Sequence, residues 1–123
     1  MHDPSIVYFQ ALKRLLRYVQ GTLHYGLPII PSEPTLNTYI DADWAFDHSD
    51  WKSITGFCSY LGANLISWCV KKQITMARSS TEAEYRALAS ATSDTLWLRH
   101  LLAEFHISQS QPAHIHCDNL SAP

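Results

Sequence analysis

The sequence LNTYIDADWAFDHSDWKSITGFCSYLGANLISWCV (Leu36–Val70) contains three short runs that have the character of β-strands. The first run, Leu36–Asp43, alternates with the period of a half-buried strand. Its two faces carry Leu36, Thr38, Ile40 and Ala42 on one side and Asn37, Tyr39, Asp41 and Asp43 on the other. The polar loop Phe46–Asp50 separates it from Ser53–Leu61, and the turn Gly62–Asn64 connects that run to the third. We therefore predict three consecutive strands, of which the last two form a hairpin.

The longest predicted element is a helix over Ala83–Phe105, a region rich in alanine, leucine and glutamate. Ser79 and Glu82 have the spacing of a capping box at its start, and Ser80 is an equally good N-cap. Its predicted buried stripe consists of Leu88, Ala91, Thr95, Leu98, Leu102 and Phe105. Ala113–Asp118 then alternates again, which predicts one more strand.

The N-terminal region predicts another helix, separated from the strands by a proline-rich linker. Asp3 can cap this helix, Pro4 suits its first position, and Gly21 can end it. Its apolar stripe contains Tyr8, Leu12, Leu15 and Val19, and the cations away from that stripe are Lys13, Arg14 and Arg17. Three prolines within residues 28–34 break regular structure, so we place a domain boundary there.

Composition limits the class of protein. The chain has 123 residues, of which 46% are hydrophobic and 16% are charged, as in one globular domain rather than a disordered chain. No apolar run is as long as the ~18 residues that a membrane-spanning helix needs, and the N-terminus lacks a signal-peptide pattern. No CxxC spacing occurs among the three cysteines, Cys58, Cys69 and Cys117. This pattern favours a reducing, intracellular compartment and predicts no thiolate metal site. The net charge of −2 excludes a generally basic nucleic-acid binder but leaves a local basic patch open.

Three carboxylates lie where the predicted elements could bring them together. Asp41 is near the end of the first strand, Glu84 is in the first turn of the long helix, and Asp118 ends the last strand. Strand ends often carry reactive groups, and converging carboxylates repel one another unless a cation lies between them. Oxygen ligands select hard ions such as Mg²⁺ or Mn²⁺. Spacing alone favours the simpler interpretation, in which the three carboxylates only cap, turn or end elements.

Five blocks of this sequence, in order, resemble the ribonuclease H domain of copia-type retrotransposon Pol polyproteins. They are YIDADWA (Tyr39–Ala45), SITGFCSYLGANLISWCVKKQ (Ser53–Gln73), ARSSTEAEYRALA (Ala77–Ala89), LWLRHLL (Leu96–Leu102) and HCDNLSA (His116–Ala122). The preceding ALKRLLRYVQGTLHYGL (Ala11–Leu27) is similar to the segment that joins reverse transcriptase to ribonuclease H in that family. The resemblance covers nearly the whole chain.

The resemblance implies a ribonuclease H-like α/β fold, with a mixed sheet and one long packed helix, incomplete at the C-terminus and preceded by a connector helix. It divides the chain into a connector helix and proline-rich linker over residues 1–34 and a partial ribonuclease H-like domain over residues 35–123. It also implies endonucleolytic hydrolysis of RNA in RNA–DNA hybrids by two divalent ions, Mg²⁺ or Mn²⁺. Asp41, Glu84 and Asp118 match three of the four carboxylates that bind those ions in the family, and Asp43 is a weaker candidate.

In the family, the fourth carboxylate and a nearby histidine follow the CDN block, and neither is among these 123 residues. We therefore expect this segment to be inactive by itself. The resemblance implies two partners, an RNA–DNA hybrid and the reverse transcriptase portion of the same polyprotein, and no membrane.

Four further residues are candidates for contact with nucleic acid. Lys71, Lys72 and Arg78 lie around the exit of the predicted hairpin, where they either form a solvated turn or contact phosphates. Trp44, directly after the strand that carries Asp41, is the tryptophan that we expect to touch nucleic acid. Two other interpretations stay open. One is a non-catalytic remnant of a decayed element, which either binds nucleic acid weakly or has no function, and the other is an interaction module that uses the N-terminal helix.

Overall fold

The computed structural model describes residues 5–118 and arranges them as a mixed α/β fold. Its elements are α1 (Ile6–Gly21), β1 (Leu36–Asp47), β2 (Lys52–Leu61), β3 (Asn64–Lys72), α2 (Ser80–Glu104) and β4 (His114–Cys117). The predicted order of helix, three strands, helix and strand is confirmed. β1 extends into the predicted polar loop because Asp47 still pairs with Lys52 across the turn, after an irregularity in the register.

The four strands form one sheet in the order β3-β2-β1-β4. β1 pairs antiparallel with β2 and parallel with β4, and β2 pairs antiparallel with β3. A parallel pair needs a crossover, and the chain makes it through β2, β3 and α2. This mixed sheet with one long helix packed on it is consistent with a ribonuclease H-like α/β fold and confirms the predicted fold class.

α2 packs on one face of the sheet, and small side chains dominate this core. Leu36, Thr38 and Ile40 of β1 are buried there, as the alternation predicts. Thr38 Oγ1 lies 2.9 Å from both Ser59 Oγ and Thr95 Oγ1, so the buried hydroxyls satisfy one another. The fully buried alanines of α2 allow the helix to lie close to the strands, and they are Ala83, Ala87 and Ala91.

The two ends of α2 differ in how well the sequence predicts them. Ser79 is the N-cap, and its side chain accepts a hydrogen bond from the Glu82 N–H at 3.1 Å. The Glu82 carboxylate accepts from the Arg78 N–H at 2.7 Å instead of closing a capping box on Ser79. The assignment of Phe105 to the buried stripe is wrong, because the helix ends at Glu104 and Phe105 is an exposed C-cap.

α1 has the predicted amphipathic sequence, but it packs against no helix or strand among residues 5–118. Its N-cap is Ser5, whose hydroxyl accepts from the Tyr8 N–H, and the predicted cap at Asp3 and Pro4 lies outside the described residues. Gly21 is its last residue and Thr22 its C-cap. All of its side chains are exposed, and it contacts no other helix or strand within this range. None of the described helices is long and apolar enough to cross a membrane.

The linker after α1 is fastened to the turn between β2 and β3. The Asn64 side-chain amide accepts from the Ile30 N–H at 2.7 Å and donates to the Ile30 carbonyl at 2.9 Å. The Ala63 N–H donates to Ser32 Oγ at 3.1 Å. Two sites along the linker are therefore bonded to one turn of the sheet, although the linker has no regular structure of its own.

Replacing Gly62 with alanine is expected to lower the free energy of unfolding by about 2 kcal/mol. Gly62 has a φ of 60°, in the left-handed region, and a Cβ there would collide with Ser32 Oγ and the Glu33 carbonyl oxygen. Urea unfolding measures the change, and Gly26→Ala is the control because a Cβ at Gly26 meets nothing within 4 Å. An unchanged midpoint for Gly62→Ala would contradict the close approach of the linker to this turn.

Candidate metal centre

Glu84 is a buried carboxylate at the junction of α2, β1 and β4, with 7% of its surface exposed. It lies on the same face of α2 as Ala87 and Ala91, since residues three and seven positions apart share a helix face. Its carboxylate accepts a hydrogen bond from the Ala42 N–H of β1. The Cys117 thiol of β4 donates to its Oε2 at 3.8 Å. The helix thus places one anionic group against the middle of β1 and the end of β4, because β1 continues to Asp47 and does not end near Asp41 as predicted.

Three donor atoms converge at this junction. One carboxylate oxygen of Glu84, the Sγ of Cys117 and one carboxylate oxygen of Asp118 all lie within 4.8 Å of one another. The parallel register pairs Ile40 with Cys117, so Asp118 leaves the sheet beside the segment of β1 that contains Asp41. Chain segments far apart in sequence therefore supply one group of possible ligands.

Asp41 is exposed on β1 and is not a member of this three-donor group. It is nevertheless close enough for its charge to act on the Glu84 carboxylate. Asp41 pairs with Gly56 of the neighbouring strand β2, and Gly56 has no side chain that could cover Asp41 from that strand. Asp43 lies two residues along the same strand and is also exposed.

The electrostatics of the junction favour a cation. Burial raises the pKa of Glu84 above its ordinary value, and the negative charges of Asp41 and Asp118 raise it further. The hydrogen bonds from Ala42 and Cys117 act in the opposite direction but are outweighed. Since both neighbouring charges that act on Glu84 are negative, a divalent cation among these oxygens would relieve the repulsion. Their chemistry fits Mg²⁺ or Mn²⁺.

Among the nucleic-acid candidates, the structure gives two of the side chains internal partners. The Lys72 ammonium lies 3.0 Å from an Asp50 carboxylate oxygen, so its charge is partly neutralised. The Trp44 indole N–H donates to the Ala77 carbonyl at 3.1 Å, which ties β1 to the segment before α2 and leaves 51% of the residue exposed. Lys71 and Arg78 are exposed.

Arg86 and Cys117 also have partners in the fold, and the sequence indicates only those of Arg86. Arg86 donates to the Thr75 carbonyl and to the Glu82 carboxylate, which fastens the segment before α2; the Glu82–Arg86 spacing of four residues is its signal in the sequence. Cys117 joins the donor group through the fold alone, because its partner Glu84 lies 33 residues earlier. Cysteine spacing could not reveal that contact.

Replacing Glu84 with glutamine is expected to stabilise the metal-free chain at neutral pH. The raised pKa means that the folded chain holds the Glu84 proton more tightly than the unfolded chain does. The associated stability is therefore present below pH 4.5, the ordinary value, and is lost as the pH rises through the raised pKa. Glutamine mimics the protonated acid. The melting temperature of the Glu84→Gln variant should therefore exceed that of the parent by a few degrees at pH 7 and match it in acid.

The control for this prediction is Glu82→Gln. The hydrogen bond from the Arg78 N–H lowers the pKa of Glu82, so that carboxylate stabilises the fold above pH 4.5 and ceases to do so as the pH falls. Glu82→Gln should therefore lower the melting temperature at pH 7. Thermal unfolding between pH 4.5 and 8 in a chelator measures both variants. A Glu84→Gln effect that is independent of pH would contradict the electrostatic explanation.

The chain is similar over nearly all of its length to two retrovirus-related Pol polyproteins of Arabidopsis thaliana, from transposons RE1 and RE2. Each is 46% identical over 123 residues, which covers 99% of this chain and 8% of the polyprotein. The secreted RxLR effector protein 161 of Plasmopara viticola is 46% identical over 97 residues, which covers 78% of this chain and 68% of that protein. No family model and no solved structure matches.

The matched segment therefore occurs both within much longer polyproteins and in a protein that has a different name. The chain spans 8% of the length of the two Pol polyproteins, and the match includes the stretches that contain Asp41, Glu84 and Asp118. The chain belongs to the family of segments that these proteins share, and along its length it is homologous to part of the retrovirus-related Pol polyproteins of transposons.

Proposed function

We propose that this segment supplies a ribonuclease H-type site in a copia-type Pol polyprotein and serves the hydrolysis of RNA in RNA–DNA hybrids. The observation that carries the proposal is the position of Glu84, a buried carboxylate whose neighbouring charges, Asp41 and Asp118, are both negative. Such an arrangement is costly without a cation. The resemblance of the surrounding blocks to that domain supports the same interpretation.

Asp41, Glu84 and Asp118 would hold Mg²⁺ or Mn²⁺ in this proposal. When bound, the ions would supply activation of the attacking water and stabilisation of the leaving oxygen in phosphodiester hydrolysis. Glu84 is held by the Ala42 N–H and by its place on the buried face of α2, so its carboxylate would be the ligand most closely fixed by the fold. Asp41 and Asp118 are exposed and would face the substrate.

Contacts to the hybrid are a further part of the proposal. Lys71 and Arg78 are exposed cations and would contact phosphates, whereas Lys72 would have to exchange Asp50 for a phosphate. The exposed part of Trp44 would lie against the nucleic acid while its N–H stays on Ala77. The reverse transcriptase portion of the same polyprotein is the proposed protein partner, since the similar sequences lie within Pol polyproteins.

A second candidate is a non-catalytic interaction module, a remnant of such an element. It is favoured by the similarity to a protein named as a secreted effector and by the exposed apolar side chains of α1. The experiment that separates the two candidates is cleavage of a labelled RNA–DNA hybrid by a Pol segment that contains this chain, with and without Glu84→Gln. The first candidate requires that the substitution abolishes cleavage, and the second requires that no cleavage occurs in either protein.

A further inference from the structure

The donor group at the junction contains a sulfur atom as well as oxygens. Cys117 Sγ lies within 4.8 Å of a ligand oxygen of Glu84 and a ligand oxygen of Asp118. Cys117 is the last residue of β4 and is paired with Ile40 of β1, so the sheet fixes its backbone. Cys58 and Cys69 lie on β2 and β3, and neither belongs to this donor group.

We propose that Cys117 makes this junction a binding site for thiophilic divalent ions, Zn²⁺ or Cd²⁺, held by one thiolate and the carboxylates of Glu84 and Asp118. Sulfur ligands select soft or borderline ions, whereas a site of oxygens alone selects Mg²⁺ or Mn²⁺. The two classes of ion would share Glu84 and Asp118, so they would compete. The competition rests on the proposed function; the thiophilic site itself does not.

The geometry requires only a small contraction. Zinc binds sulfur at about 2.3 Å and carboxylate oxygen at about 2.1 Å, so tetrahedral donors are about 3.5 Å apart. The present separations of up to 4.8 Å would shorten by roughly 1 Å on binding, and the exposed Asp118 is the donor least confined by packing. Three protein donors leave a fourth position open, as in zinc sites that also bind water or substrate.

The consequence would be inhibition of the proposed reaction by low concentrations of a thiophilic ion. An ion held through Cys117 occupies carboxylates that the hard ions need, and sulfur binds it more tightly than oxygen would. The inhibition would be relieved by a chelator.

The test is an ultraviolet titration of the 123-residue chain with Cd²⁺, because a thiolate-to-cadmium charge-transfer band reports a bond to sulfur directly. The Cys58→Ser/Cys69→Ser double variant retains Cys117 as its single cysteine and should show the full band. Cys117→Ser should lose the band and bind Cd²⁺ about 100-fold more weakly, and Glu84→Gln should weaken it at least about 10-fold. Circular dichroism confirms that each variant is folded.

A band that persists in Cys117→Ser would overturn the proposal, and so would a double variant that gives no band. A band that is unchanged in Glu84→Gln would also overturn it, because the thiol would then bind without the carboxylate. Zn²⁺ inhibition of hybrid cleavage by a longer Pol segment, in the parent and in Cys117→Ser, tests the competition. Cadmium binding without any cleavage would reject the proposed function alone, and cleavage without cadmium binding would reject the thiophilic site alone.

Discussion

Glu84→Gln is expected to reduce cleavage of an RNA–DNA hybrid at least about 10²–10³-fold in a Pol segment that contains these 123 residues. Glutamine keeps the shape of the side chain and can still accept the Ala42 N–H, but it removes the charge that would hold the ions. Ions that are no longer held at fixed positions stabilise the transition state poorly, so the loss should appear in the rate and not only in binding.

The measurement is cleavage of the labelled RNA strand with Mg²⁺ and with Mn²⁺, followed on a denaturing gel. Asp43→Asn is the matched control, because Asp43 is an exposed aspartate two residues beyond Asp41 on the same strand. Asp41→Asn and Asp118→Asn should resemble Glu84→Gln, and Asp43→Asn should retain most of the activity. Equal activity of the parent and Glu84→Gln would reject a catalytic role for Glu84.

The 123-residue segment alone is expected to give no detectable cleavage in the same assay. The three carboxylates supply few ligands for two ions held at fixed positions, so stabilisation of the transition state should be weak. If this segment cleaved the hybrid and Glu84→Gln abolished that cleavage, the result would show that the three carboxylates suffice.

The second large effect concerns binding of the ion itself. The segment should bind Mn²⁺ weakly, since three carboxylates supply only a small ligand set to a hard cation. Asp41→Asn should weaken it by a further factor of about 10 or more. The reason is electrostatic, because the charge of Asp41 already acts on Glu84 in the metal-free fold and would act favourably on an ion in the same place.

The local patterns of the sequence predict the elements of this fold well. The two-residue alternation places Leu36, Thr38 and Ile40 on the buried face of β1, and the Ser79 cap starts α2. These features depend on neighbours within a few residues, where periodicity and capping chemistry act. The prediction for Phe105 is wrong because the periodic pattern continues one residue beyond the end of the helix.

Contacts between distant segments are what the sequence did not reveal. The Asn64 side chain holds the Ile30 backbone across 34 residues, and the Cys117 thiol meets Glu84 across 33. Neither pair has a local spacing, because only the sheet register and the crossover bring the partners together. The resemblance implies the grouping of Asp41, Glu84 and Asp118, since three scattered carboxylates alone do not predict a site.

Titration calorimetry with Mn²⁺ on the 123-residue chain shows whether Asp41, Glu84 and Asp118 form one cation site. The parent should bind one or two ions, and Asp41→Asn, Glu84→Gln and Asp118→Asn should each weaken that binding. Asp43→Asn should leave it nearly unchanged. Identical binding by the parent and by all three site variants would show that these carboxylates are not the ligands.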